Sequence, residues 1–347
     1  LDKKLNEIWR RQNPETGEKF DLDLHIENLM AECLESGLPY GHPVRLRIKQ
    51  GIEVHPGQVP KGETISCWIP FPREIPHRQI NIKLLDAFPQ KYKVAPNDQL
   101  QRTVYFEQPS NGQQPTKFWV EYEYTPHGIY VNVDPEKVKP VDPNGPLKEF
   151  LQERPPHIVF SDTLKKLSKK IVGNETNPYR IAQKIFAWID TNITWASARE
   201  YSTIRNLSLY PVINKHGDCG IQSMLFITLC RMNGIPARWQ SGWEFQPPND
   251  SMHDWSMIYF EPYGWLPSDV TYGMRKSQDE RVKYFYLNGM DSYRLIFNDD
   301  FSRPFDPPKK HFRSETVDSQ RGEVEWNGGN LYFDQWDWTF EWKVISQ

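Results

Sequence analysis

The stretch Asn214-Lys215-His216-Gly217-Asp218-Cys219-Gly220-Ile221-Gln222-Ser223-Met224-Leu225-Phe226-Ile227-Thr228-Leu229-Cys230-Arg231-Met232-Asn233-Gly234-Ile235-Pro236 decides how the rest of the chain is read. After the cysteine comes a 14-residue apolar run from Gly220 to Asn233. Ile221, Met224, Leu225, Leu229 and Met232 share one helical stripe, and Phe226, Ile227 and Cys230 widen it until most faces are apolar. Such a helix belongs in a core. Gly234-Ile235-Pro236 stops it, because glycine suits a helix end and proline cannot continue one. The spacing therefore predicts a helix that begins at Cys219. Free backbone N–H groups and the positive end of the helix dipole favour a thiolate there, so Cys219 is expected to titrate below the roughly 8.5 of a free cysteine. Cys230, inside the stripe, reads as a small buried hydrophobe. Taken alone, Cys219 is either a nucleophile or a residue that merely fills a helix start.

Working outward, Ala237 to Gln246 alternates apolar and polar residues with the period of a half-buried strand. His253 opens a second strand at a loop edge and shares a face with Trp255, Met257 and Tyr259. Glu261-Pro262-Tyr263-Gly264 supplies a turn, and Trp265 to Val270 the return strand. A register that pairs His253 with Asp269 and closes around Glu261 and Pro262 puts both on one face. Closing at Phe260 and Trp265 puts them on opposite faces, and the sequence permits either.

On a shared face, Cys219, His253 and Asp269 fit the nucleophile, base and orienter of a thiol catalytic triad. His253 would take the thiol proton and Asp269 would fix the imidazole tautomer. Attack on an amide or ester carbonyl would give a thioester, with the Cys219 backbone N–H as one oxyanion donor. His216 is the rival base, three residues before the cysteine. Trp195 reads either as a cleft wall or as a core tryptophan ending a helix, and Asp218 and Trp255 complete the candidate cleft.

Gly217-Asp218-Cys219, the run Leu229 to Arg238, His253-Asp254-Trp255 and Gly264 to Thr271 together resemble the core of the transglutaminase-like superfamily, tightly over about 60 residues. The resemblance implies a papain-like α+β fold, carries Cys219, His253 and Asp269 onto the family's Cys-His-Asp triad, and makes the preceding β segment look like the β-sandwich that often precedes this core. Val270 departs from the proline that many members have after the aspartate. The family spans amide cross-linkers, peptidases, deglycosylating amidases and inactive members. It narrows the mechanism far more than the substrate.

The rest of the chain fits around that core. Leu5, Ile8 and Trp9, then Leu24, Leu29 and Cys33, predict a helical lead-in over 1–42, ended by Gly37 and Pro39. Alternating segments such as Val44 to Ile48, Ile65 to Ile69, Arg102 to Phe106 and Lys117 to Tyr122 predict an antiparallel β-sandwich over 43–140. His55 and His77 fall in its Pro-rich loops as solvated histidines. After a Pro-rich linker, stripes at Leu164, Leu167 and Ile171 and at Ile181, Ile185, Trp188 and Ile189 predict helices packed beside the Cys219 helix, within a catalytic core over 141–305. A Trp-rich β extension over 306–347 is expected to pack on one of the two domains.

The 347 residues suffice for about two domains, and the net charge of −3 gives no electrostatic case for nucleic acid. No apolar run approaches the roughly 20 residues of a membrane-spanning helix. Four scattered cysteines without metal-ligand spacing, and no acidic loop of the calcium type, lead us to expect no metal and no cofactor. The start at Leu1 suggests a mature or trimmed chain, and the layout an exported bacterial protein, periplasmic or at the cell surface. The sequence thus points to a cysteine hydrolase (peptidase or amidase) or acyltransferase acting on peptide, protein or peptidoglycan-type substrates. The alternative is a non-catalytic envelope binding or scaffold protein that keeps the fold.

Overall fold

The apolar run folds as the helix Cys219–Met232, and every residue from Gly220 to Arg231 is buried in a computed structural model that describes residues 20–346. Asp218 is its N-cap, its side chain accepting from the Ile221 N–H. Gly234 follows the last turn at φ 75°, a left-handed conformation that glycine adopts without steric cost. Two amphipathic helices pack on it. Asp162–Val172 is capped by Ser161, and Pro178–Asn192 is capped by Asn177 with Pro178 pre-set for the first turn. Ile181, Ile185 and Ile189 form the buried stripe of the second helix, where Phe186 meets Phe226 edge-on at 6.2 Å.

Opposite the helices, Ser251–Phe260 lies between Gly264–Ser268 and Ala237–Glu244 in one sheet. Its hairpin closes at Phe260 and Gly264 and pairs Ser256 with Ser268. This is neither register considered from the sequence. Extending it sets Asp269 opposite Trp255, two residues from His253, so side-chain alternation keeps His253 and Asp269 on the same face. The helices, this hairpin, a small sheet of Tyr40–Gly41, Gly128–Tyr130 and Gly289–Met290, and the helix Leu22–Ser36 form one compact unit. Gly37 ends the last of these at φ 69°. The first half of the expected helical lead-in (Leu5, Ile8, Trp9) lies outside the described residues.

The second unit is all β. One sheet orders Gly329–Leu331, Glu323–Trp326, Thr64–Pro70, Thr103–Pro109 and Tyr92–Val94. The other orders Trp336–Ser346, Arg45–Val54, Thr116–Pro126 and Gln79–Phe88. Leu46, Ile48, Ile52 and Val54 alternate inward along one strand, and Phe106 and Phe118 meet across the two sheets at 6.1 Å, so the sheets pack face to face. The C-terminal strands enter both sheets: Val324 pairs with Cys67 in one, and Trp342 with Ile48 in the other. The whole is an α+β protein with mostly antiparallel sheets.

Candidate active site

Cys219 sits partly exposed at the first turn of its helix, as the apolar run and its cap require. Its thiol donates to Asp254 Oδ2 at 3.4 Å. Asp254 is the neighbour of His253 on the strand that crosses the helix, and Ser223 Oγ ties the two elements by donating to the Asp254 carbonyl at 3.2 Å.

His253 and Asp269 are both buried, and His253 Nε2 lies 2.7 Å from Asp269 Oδ2. A carboxylate there accepts the Nε2–H, which leaves Nδ1 as the basic nitrogen. The other carboxylate oxygen, Oδ1, accepts the backbone N–H groups of Thr271 at 3.1 Å and Tyr272 at 3.4 Å, so the turn after Ser268 holds Asp269 rigidly. Gln222, one turn along the cysteine helix, accepts from Thr271 Oγ1 at 3.0 Å and couples that turn to the helix.

The electrostatics reverse the sequence expectation for the thiol. Burial pushes the Cys219 thiol well above its ordinary value, and the carboxylates of Asp254 and Asp218 push it further, while the Asp254 backbone N–H opposes them. Two nearby carboxylates and burial outweigh the helix dipole, whose effect is typically below 1 kcal/mol at a helix end. Asp218 is itself raised by burial. The hydroxyl of Tyr201 lies between the pair, 2.9 Å from Asp218 Oδ1 and 3.2 Å from Asp254 Oδ2. It has one proton for two carboxylates, so it donates to one of them, and the second contact is a hydrogen bond when that carboxyl is protonated and donates to the hydroxyl. A Cβ on Gly220 would lie 2.1 Å from Tyr201 Oη, so glycine lets the hydroxyl reach this position.

The remaining candidates divide. Trp195 pairs with Gly217 in a two-strand parallel bridge and lies level with the helix start, partly exposed. Asp218 is the cap, one residue from the nucleophile candidate. His216 packs edge-on against Tyr210 at 5.7 Å and its Nδ1 has no hydrogen-bond partner among the described residues. Trp255 is fully buried, its indole N–H donating to Gln240 Oε1 at 2.7 Å; it braces the histidine strand from the core and is not a cleft surface. Sequence reasoning missed Tyr201, Asp254, Gln222 and Glu244. Only Gln222, at i+3 from Cys219, and Asp254, next to His253, had a local signal.

A thiol at a helix start, hydrogen-bonded to the strand residue next to a buried His–carboxylate pair on an antiparallel sheet, fits the class of papain-like α+β proteins. Residues 165–270 match the family model of the transglutaminase-like superfamily, and the chain carries a transglutaminase-like domain there. A candidate cysteine protease from Cytophaga hutchinsonii superposes with a TM-score of 0.55 at 17% identity, over 89% of this chain and 93% of that one. At that identity the likeness speaks for the fold. The periplasmic domain of TgpA from Pseudomonas aeruginosa, in a complex with ethylmercury, aligns over 73% of this chain and 96% of its own with 14% identity and a TM-score of 0.31. No curated protein matches the chain. Among the described residues no helix is long and apolar enough to cross a membrane.

Proposed function

We propose that the protein is a cysteine-dependent hydrolase or acyltransferase that cleaves amide bonds of peptides, proteins or peptidoglycan-type material. The observation that carries this reading is the buried His253–Asp269 pair, at 2.7 Å, on the strand whose next residue holds the Cys219 thiol. The thiol is neutral at rest, so its proton leaves during attack and not before. His253 Nδ1 takes that proton as sulfur adds to the carbonyl carbon, and Asp269 stabilises the imidazolium. The tetrahedral oxyanion meets the Cys219 backbone N–H at the helix start. Its collapse returns the proton from the imidazolium to the leaving amine and leaves a thioester. Water then gives the acid, or a second amine gives a new amide, and either restores the thiol.

The thiol's hydrogen bond to Asp254 and its raised pKa favour a second reading, a non-catalytic scaffold of the envelope. The test is wild type against Cys219→Ala in amide hydrolysis and amine incorporation over a peptide and muropeptide panel. Turnover lost in the variant supports the enzyme. A wild type silent in both assays, with Cys219 alkylated no faster than buried Cys33 or Cys67, leaves the scaffold.

A further inference from the structure

Asp269 shares His253 Nε2 with a second carboxylate. Glu244 Oε2, at the end of the strand Ala237–Glu244, lies 3.8 Å from that nitrogen, and its side chain is 18% exposed. The same oxygen accepts the Tyr272 hydroxyl at 2.8 Å. Tyr272 meets the His253 ring edge-on at 5.6 Å and 82°, while its backbone N–H reaches Asp269 Oδ1 at 3.4 Å. One residue therefore engages both carboxylates and the ring between them. The groups facing His253 are Asp269 and Tyr272 from the turn after the return strand, Glu244 from the neighbouring strand and Trp255 from its own strand; the next residue of that strand, Asp254, holds the Cys219 thiol.

We propose that Glu244 is a second carboxylate of the catalytic base, one that strengthens His253 as a proton acceptor, and that Tyr272 is the positioning residue that aims it. The inference rests on the triad reading above. Its logic is a matching of donor and acceptor. Asp254 and Asp218 make Cys219 a reluctant proton donor, so the imidazole that receives the proton needs more than one carboxylate behind it. Glu244 supplies that charge without displacing Asp269, because it approaches from the neighbouring strand and its hydrogen bond is already taken by Tyr272.

Glu244→Gln keeps an acceptor oxygen for Tyr272 and removes the charge. We expect the NMR titration midpoint of the His253 imidazole to fall by about one pH unit. In turnover, kcat falls about 10-fold with KM unchanged. Glu244→Asp, which keeps the charge, restores most of the midpoint. Tyr272→Phe, which releases the carboxylate, gives a smaller fall in the same direction and is the fallback if the Gln variant does not fold. A purely structural role would lower Tm and leave the midpoint in place. A midpoint unmoved in folded Glu244→Gln or Tyr272→Phe overturns the proposal. The titration needs no turnover, so its failure is distinct from failure of the enzyme reading, which the Cys219→Ala comparison decides.

Discussion

Asp254→Asn is expected to turn a sluggish thiol into a reactive one. The Cys219 sulfur lies 3.4 Å from Asp254 Oδ2. At an effective dielectric of about 20, two unit charges at that separation repel by roughly 5 kcal/mol, a ceiling of about 3.5 pH units on the carboxylate's effect. Solvent screening reduces it, while loss of the thiol–carboxylate hydrogen bond, which favours the protonated thiol, acts in the same direction as the lost charge, and a fall of about 1–3 units is the working range. Asparagine keeps the shape and an acceptor oxygen for Tyr201, so the change is chiefly one of charge. Each unit raises the thiolate fraction tenfold at neutral pH but lowers its nucleophilicity about threefold, so alkylation should speed up by about 3- to 30-fold. The assay is iodoacetamide labelling from pH 6 to 10 with peptide mapping. Cys33, Cys67 and Cys230 serve as buried internal controls, and burial holds Cys33 up at about 11. Unchanged or slower labelling of Cys219, in a variant with wild-type circular dichroism and Tm, would refute the assignment of Asp254 as the group that keeps the thiol protonated.

Two further outcomes follow from the structure. Gly220→Ala gains about 1 kcal/mol of helix propensity, yet its methyl would lie 2.1 Å from Tyr201 Oη and 2.7 Å from Asp254 Oδ2. Overpacking at such a contact costs about 1–3 kcal/mol, so denaturant titration should show net destabilisation, and a stabilised variant would contradict the contact. His157 is buried and its pKa is lowered to about 4, chiefly by burial and then by Arg154. The unfolded chain takes up this proton first as pH falls, so the contribution is complete above about 6.5 and disappears towards 4, up to about 3 kcal/mol. His157→Gln should flatten the loss of Tm across that window, and an unchanged slope would show that other groups carry it.

The sequence by itself determined what local physics governs. The apolar run fixed the helix Cys219–Met232, and Asp218 and Gly234 fixed its ends, because capping and glycine conformation act over a few residues. Alternation placed His253 on its strand, and the ordered motifs carried the family likeness that residues 165–270 bear out. The two-residue slip of the hairpin was not legible, since it preserves the faces that alternation reports and depends on how the turn closes. Nor was the thiol's acidity. The helix dipole is a local signal, but Asp254 reaches the sulfur from a strand 35 positions away, and Tyr201 reaches both carboxylates from a loop. Glu244 likewise meets His253 only because two strands lie side by side. Charge acts through space and not along the chain, so tertiary structure alone decided which carboxylates lie beside Cys219 and which lie beside His253.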